Sequence, residues 1–184
     1  MRRLEDDLEK VLLTEEELAI RVRELGAQIT EDYRGRDLVL IGILRGALMF
    51  LSDLTRAISL PHAFDLVGAS SYHGGTASKG FVRISKDVDM NLEGRDALII
   101  EDIYDTGRTF SVIRDLVRVH NPRSIELCAI LRKEVPSRTV ELDVKYIGFD
   151  IPNEFVVGYG LDYEERYRNL RMVGVLKPEI YAKK

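Results

Sequence analysis

Apolar residues recur along this chain with two different periods, and the change from one to the other marks out its elements. Leu18, Val22, Leu25 and Ile29 fall three or four positions apart and form one stripe, which predicts an amphipathic helix. Its start is set by Thr14-Glu15-Glu16-Glu17, a capping box in which Thr14 and Glu17 satisfy each other's free backbone donors. Short aliphatic runs follow. Leu38 to Leu44, Phe64 to Ser71, Ala97 to Ile100, Ile125 to Leu131 and Tyr146 to Phe149 read as strands, and an unbroken run such as Ala97-Leu98-Ile99-Ile100 as one buried on both faces of a parallel sheet. Ala47 to Ser59 and Thr109 to His120 fit helices between them. Val82 to Ser85 fits a short hairpin arm, and Tyr72 to Lys79, with Gly74-Gly75 and no apolar anchor, a mobile loop. Strand and helix alternate without repeats or a dividing linker, so the expected class is α/β with a mostly parallel central sheet in a single domain, residues 1–184.

Composition agrees with one core and narrows the partners. With 184 residues, 45% apolar and 32% charged, the chain is long enough for one good core and short for two. A formal net charge of −4 argues against a general nucleic-acid or membrane surface, although a locally basic pocket would not show in the sum. The single Cys128 excludes an intramolecular disulfide and suits a reducing, cytoplasmic setting. Met1-Arg2-Arg3 leads into an acidic segment with no apolar signal core, and no run approaches the roughly 20 residues of a membrane span. The expectation is therefore a protein that is neither exported nor anchored.

The densest chemistry lies at Glu101-Asp102-Ile103-Tyr104-Asp105-Thr106-Gly107-Arg108-Thr109, directly after the run Ala97 to Ile100. In open α/β sheets ligands bind beyond the carboxyl ends of strands, and this junction offers two adjacent carboxylates, an Asp-Thr-Gly turn and a helix start. Carboxylates can hold ribose hydroxyls or a divalent metal. Backbone N–H groups of the turn, with the hydroxyls of Thr106 and Thr109, can hold a phosphate. The spacing fits a ribose 5-phosphate. Arg45 is out of place in an apolar stretch and suggests a turn or an anion site. By default Phe155 and Val156 would be strand core, Lys133 a solvated strand end, Ser71-Tyr72 a strand terminus, and Asp162 with Arg168 a surface pair.

The string Glu101 to Thr109 resembles the phosphoribosyl pyrophosphate (PRPP) binding motif of the type I phosphoribosyltransferases. Leu44-Arg45-Gly46, Ser70-Ser71-Tyr72, Lys133 and the segment Phe155 to Tyr163 are similar to the hypoxanthine-guanine branch of that family, and the likeness runs from about Leu38 to Leu170. It implies a parallel sheet flanked by helices, with a small hood built from the N-terminal segment and about residues 150–184. It also implies purine salvage: transfer of the 5-phosphoribosyl group of PRPP to hypoxanthine or guanine, with release of pyrophosphate, a need for Mg²⁺, and a homodimer or homotetramer.

The same resemblance implies a role for each motif. Asp162 would coordinate one Mg²⁺, while Glu101 and Asp102 would hold the ribose hydroxyls directly or through a second. Asp105 would face purine N7, either as proton acceptor or as a hydrogen-bond partner. Arg168 and the turn Leu44-Arg45-Gly46, with a cis peptide at Leu44-Arg45, would bind pyrophosphate from two sides; the family commonly has Lys at the position of Arg45. Ser71 and Tyr72 would head a loop that closes over bound PRPP. Phe155 would stack on the purine, Val156 would offer backbone groups to its edge, and Lys133 would donate to O6 and reject adenine. Two rivals share the fold: a non-catalytic PRPP-sensing regulator, and a phosphoribosyltransferase for xanthine or another base. The acidic balance and the absence of a winged-helix segment weigh against the first.

Overall fold

The computed structural model describes residues 3–72, 81–135 and 139–181. A short 3₁₀ turn, Leu4–Asp7, leads into β1 (Leu8–Leu13) and then α1 (Glu15–Asp32). The capping box forms as the sequence predicts: the Thr14 N–H donates to Glu17 at 2.8 Å and the Glu17 N–H donates to Thr14 Oγ1 at 3.2 Å. β2 (Leu38–Leu44), α2 (Leu48–Ala57), β3 (Ala63–Tyr72), β4 (Phe81–Lys86), β5 (Asp96–Tyr104), α3 (Arg108–Arg118), β6 (Ser124–Lys133) and β7 (Tyr146–Ile151) follow. The chain ends with β8 (Val156–Val157), β9 (Val173–Leu176) and α4 (Pro178–Tyr181).

Six strands make the central sheet in the order β4-β3-β2-β5-β6-β7, parallel except for β4, which runs antiparallel to β3. Side chains alternate between its faces. Leu38 and Leu40 of β2 with Leu98 and Ile100 of β5 face one cluster, where Leu18, Val22, Leu25 and Ile29 of α1 and Phe50, Leu51 and Leu54 of α2 also lie. Val39 and Ile41 with Ala97 and Ile99 face the other, packed with Phe110, Ile113 and Val117 of α3. The α/β class with helices on both faces of a mostly parallel sheet is the one the alternating pattern predicts.

A second sheet, β1-β9-β8, is antiparallel and joins the two ends of the chain. The sequence reading starts the regular structure at α1 and passes over β1. The reason is visible in the register: β1 pairs with β9 through two irregularities, so that buried Leu8 and Leu13 are separated by exposed or half-exposed residues without alternation. β5 also runs further than the apolar run alone indicates. Its pairing with β2 stops at Gly42 and Ile100, but pairing with β6 continues to Tyr104 and Arg132, so Glu101 and Asp102 lie within the strand rather than beyond it.

The start of β5 is pinned by Asp96, which is fully buried and accepts hydrogen bonds from Arg123, through Nε at 3.0 Å and through Nη2, and from Ser124 Oγ at 2.7 Å. The Arg123 hydrogen bond holds the Asp96 carboxyl below its ordinary pKa against the opposing effect of burial. Stability from this group is therefore present above the ordinary carboxylate range and lost as the pH falls through it. Asp96→Ala should cost about 2 to 3 kcal/mol near pH 7, since it leaves a guanidinium without its buried partner. Urea unfolding should show the gap from wild type narrowing below about pH 4.

Candidate active site

The sheet reverses its winding at one place. β2 has β3 on one side and β5 on the other, so the chain builds outward in both directions from that pair, and the crevice beyond the carboxyl ends of β2 and β5 is the expected ligand site. The turn Leu44-Arg45-Gly46 leaves β2 there, and Asp105-Thr106-Gly107 leaves β5 there. The Leu44–Arg45 peptide bond is cis.

Gly107 starts α3 with φ +81°, a left-handed conformation that glycine adopts freely, and no side chain caps the helix. A Cβ at this position would run into the Val140 carbonyl. The uncapped end leaves the positive pole of the helix facing outward beside Thr106 and Thr109, an arrangement suited to a phosphate. The turn is braced from behind: the Val140 N–H donates to Thr106 O at 3.0 Å, the Tyr104 hydroxyl donates to Val140 O at 3.1 Å, and the Leu142 N–H donates to the Tyr104 oxygen at 2.9 Å. The side chain of Tyr104 is buried against Phe110 and that loop. Ile103 is half-buried against the core. These two members of the motif shape the turn through their packing, while Glu101, Asp102, Asp105, Thr106, Arg108 and Thr109 carry its polar groups.

The acids sit in contrasting surroundings. Burial, with Asp102 and Asp105 nearby, raises the Glu101 carboxyl well above its usual pKa. Burial also pushes Asp102 up to about 6, against a 2.9 Å hydrogen bond from the Ile103 N–H and the nearby charge of Arg168. Asp105 is more open and lies 3.8 Å from Lys133 Nζ, at the end of β6. Phe155 is 39% exposed, stacks on Tyr181 with ring centroids 4.9 Å apart, and meets Tyr163 edge-on at 5.8 Å. Val156 is buried in β8, paired with Val175.

On the opposite wall, the second sheet brings in Asp162 and Arg168. Arg168 donates to Asp162 at 2.8 Å, to Glu165 at 3.1 Å and to the Gly160 carbonyl at 2.8 Å. Arg45 donates to the same Glu165 oxygen at 2.6 Å. A Cβ on Gly160 would meet the Gly46 carbonyl, and one on Gly46 would meet the Asp102 carboxylate, so the two walls touch at these turns. Residues from four separate stretches of sequence thus line one crevice. Ser71 and Tyr72 end β3, paired with Val82 and Phe81, and the loop expected after Tyr72 lies outside the described residues. Sequence reasoning missed Glu165 and Tyr181: neither belongs to a motif with a spacing of its own, and only the tertiary fold shows what they touch.

The donor set suits Mg²⁺, which binds through one or two carboxylates together with substrate phosphates and needs no cage made wholly of protein. Among the described residues no group of three or more His, Cys, Asp or Glu forms such a cage. The raised Glu101 and Asp102 carboxyls, repelled by neighbouring acids, are the groups whose charge a nearby cation would favour. None of the helices in the described residues is long and apolar enough to cross a membrane.

Comparison with known proteins agrees with this fold. The profile of the phosphoribosyl transferase domain matches residues 10–164. A hypoxanthine-guanine phosphoribosyltransferase of Streptococcus agalactiae serotype V is 48% identical over 180 residues, which cover 98% of this chain and 99% of that protein. One from Mycobacterium avium is 48% identical over 181 residues, 95% of this chain and 89% of the relative. A solved hypoxanthine phosphoribosyltransferase of Staphylococcus aureus superposes with a TM-score of 0.90 at 49% identity, covering 97% of this chain and 96% of that one.

The raised pKa of Asp102 has a sign that can be tested. A carboxyl that is harder to ionise in the folded protein favours folding while protonated, and that contribution is lost as the pH rises from the unfolded value near 4 to about 6. Above that range the ionised group is a standing cost. Asp102→Asn should therefore raise stability by about 1 to 2 kcal/mol at pH 8, with the gain closing toward pH 4; urea titrations at several pH values measure it.

Proposed function

The chain belongs to the phosphoribosyl transferase family, and from that premise we propose how its crevice carries out one reaction of purine salvage. The protein transfers the 5-phosphoribosyl group of PRPP to hypoxanthine and guanine, forming the nucleoside 5′-monophosphates and releasing pyrophosphate. The observation that carries the base assignment is the Asp105–Lys133 pair, an acceptor and a donor 3.8 Å apart at the ends of neighbouring parallel strands. A 6-oxopurine with its proton on N7 presents a donor and the O6 acceptor side by side on one edge, the complement of that pair. Adenine sets an amino donor where Lys133 also donates, and a buried unpaired donor is costly.

The remaining assignments belong to the same proposal, and the family resemblance supports them together with where the described residues lie. The α3 amino terminus and the Thr106 and Thr109 hydroxyls hold the 5′-phosphate, with Arg108 beside them. Glu101 and Asp102 lie under the ribose hydroxyls. Arg168 and the Leu44-Arg45-Gly46 turn hold pyrophosphate from opposite sides, and Asp162, with Glu101 and Asp102, holds Mg²⁺. When bound, Mg²⁺ offsets the negative charge that develops on the leaving pyrophosphate. As C1′ gains positive charge, Asp105 accepts the N7 proton or strengthens its hydrogen bond to it. Phe155 stacks on the base, Val156 reads its edge through backbone groups, and Ser71 and Tyr72 shield the ribose from water. We treat residues 1–184 as one domain with β1-β9-β8 as its hood. The proposal includes a cytoplasmic setting, supported by the one buried thiol of Cys128, and a homodimer or homotetramer, which sedimentation velocity would size.

A pyrophosphate-release assay with PRPP, Mg²⁺ and a panel of bases tests the reading: hypoxanthine and guanine should turn over, and adenine and orotate should remain almost untouched. Comparable use of adenine would overturn the purine assignment. Asp105→Asn should lower kcat by about 10² to 10⁴ with PRPP affinity nearly kept, whereas Asp102→Ala should weaken PRPP binding itself. Calorimetry of PRPP with both variants separates these outcomes.

A further inference from the structure

Glu165 belongs to none of the assigned roles, yet it stands between the two arginines placed on pyrophosphate. One oxygen, Oε2, accepts from Arg45 Nη1 at 2.6 Å and from Arg168 Nη2 at 3.1 Å. Arg45 comes from the turn after β2 and Arg168 from the opposite wall, 123 positions away in sequence, so the carboxylate is the bridge across that part of the crevice.

The backbone holds Glu165 at this place. Tyr163 and Arg166 exchange hydrogen bonds of 3.2 and 3.0 Å, closing a two-residue hairpin whose central residues, Glu164 and Glu165, both have positive φ, +50° and +63°. Such a turn favours Asn-Gly, and here it carries two glutamates instead. The Glu165 N–H also donates to Asp162 at 2.9 Å, fixing the hairpin tip to the residue assigned to the metal. Meanwhile the ion pair itself is wet: the Arg45 and Glu165 side chains are 68% and 63% exposed. A pair of this kind forms readily and is displaced readily, because water and salt screen it.

We propose that Glu165 is a positioning residue whose carboxylate stands in for pyrophosphate in the free enzyme, holding Arg45 and Arg168 facing each other until the diphosphate of PRPP displaces it. This rests on the reading of the crevice as a PRPP site. Two guanidinium groups aimed at one point repel when nothing lies between them. The carboxylate offsets that repulsion, keeps the arginines near their working geometry, and returns as pyrophosphate departs. It therefore lowers affinity for the leaving group and favours its release. An arginine at position 45 suits the device, since its fork can donate to the carboxylate and its reach spans the crevice.

Titration calorimetry of inorganic pyrophosphate with Mg²⁺ tests this on the full chain, alongside GMP, which leaves the diphosphate position open. Glu165→Gln removes the competing charge and should bind pyrophosphate about threefold to tenfold tighter with GMP affinity unchanged. In an Arg45→Gln background the same substitution should gain less, because one of the two clamped groups is already gone. In steady state, Glu165→Gln should lower KM for PRPP and make product pyrophosphate a stronger inhibitor. Unchanged or weaker pyrophosphate binding by Glu165→Gln in a wild type that turns over hypoxanthine would overturn the stand-in role alone. A wild type that neither binds pyrophosphate nor uses a 6-oxopurine would overturn the parent reading and this one with it.

Discussion

The crevice depends on two turns that touch backbone to backbone. Gly160 lies so near the Gly46 carbonyl, and Gly46 so near the Asp102 carboxylate, that a single added methyl group at either would have to displace its neighbour. Gly160 also has φ +103°, which other residues rarely adopt. Because of this contact the second sheet is seated on the switch point of the first, and Asp162, Glu165 and Arg168 come within reach of residues at the ends of β2 and β5. Tyr159, in the same turn, adds a hydrogen bond from its hydroxyl to Asp53 of α2 at 2.9 Å, which fixes the hood segment against the helix that follows the Arg45 turn. The seating is thus set by sterics and made directional by polar contacts such as this one and the Arg45–Glu165 pair.

Electrostatics then sort the acids by depth. Glu101 is buried in the strand, Asp102 lies partly buried beneath the turn contact, and Asp105 and Asp162 are more open and each have a cation beside them. The two deep groups resist ionising, whereas each of the outer two has a basic side chain against it. On the proposed assignment, ribose hydroxyls meet acceptors whose charge is held in check by burial, and the purine or diphosphate meets charges that already have a partner. The fold makes this gradient by running β5 past its neighbour β2 while β6 still covers the other edge.

Much of this was legible in the sequence, for reasons that differ between elements. The capping box and the Leu18-Val22-Leu25-Ile29 stripe are local, and they specify α1 without reference to anything else. The buried strands announce themselves because both faces are covered, so their apolar runs are continuous. The Asp-Thr-Gly turn is equally local, since Gly107 takes the left-handed φ of +81° that glycine adopts freely. What stayed hidden depends on partners distant in sequence. β1 is a strand because β9 pairs with it, Tyr104 is a brace because Val140 and Leu142 reach it, and Phe155 has Tyr181 against its ring only when the chain end folds back. Glu165 is one acid among several in Asp162-Tyr163-Glu164-Glu165, and its meaning comes from Arg45, 120 residues earlier.

The free crevice holds a set of internal ion pairs, each of which the proposed reaction matches to a substrate group. Lys133 faces Asp105, Arg168 faces Asp162, and Arg45 with Arg168 faces Glu165. In the proposed reaction each substrate group takes over a matching contact: the diphosphate takes the place of Glu165 between the two arginines, and Lys133 and Asp105 turn from each other to the O6 acceptor and the N7–H donor of the neutral purine. Binding then exchanges partners instead of stripping bare charges of water, which is the costly step in forming a polar complex. It also explains how a site crowded with arginine, lysine and five carboxylates can stay folded in the absence of substrate. An exposed pair such as Arg45 and Glu165 contributes little to stability, so keeping it costs the protein little. What it contributes, on the proposed reading, is orientation, since both guanidinium groups are already turned toward one point, Glu165 Oε2.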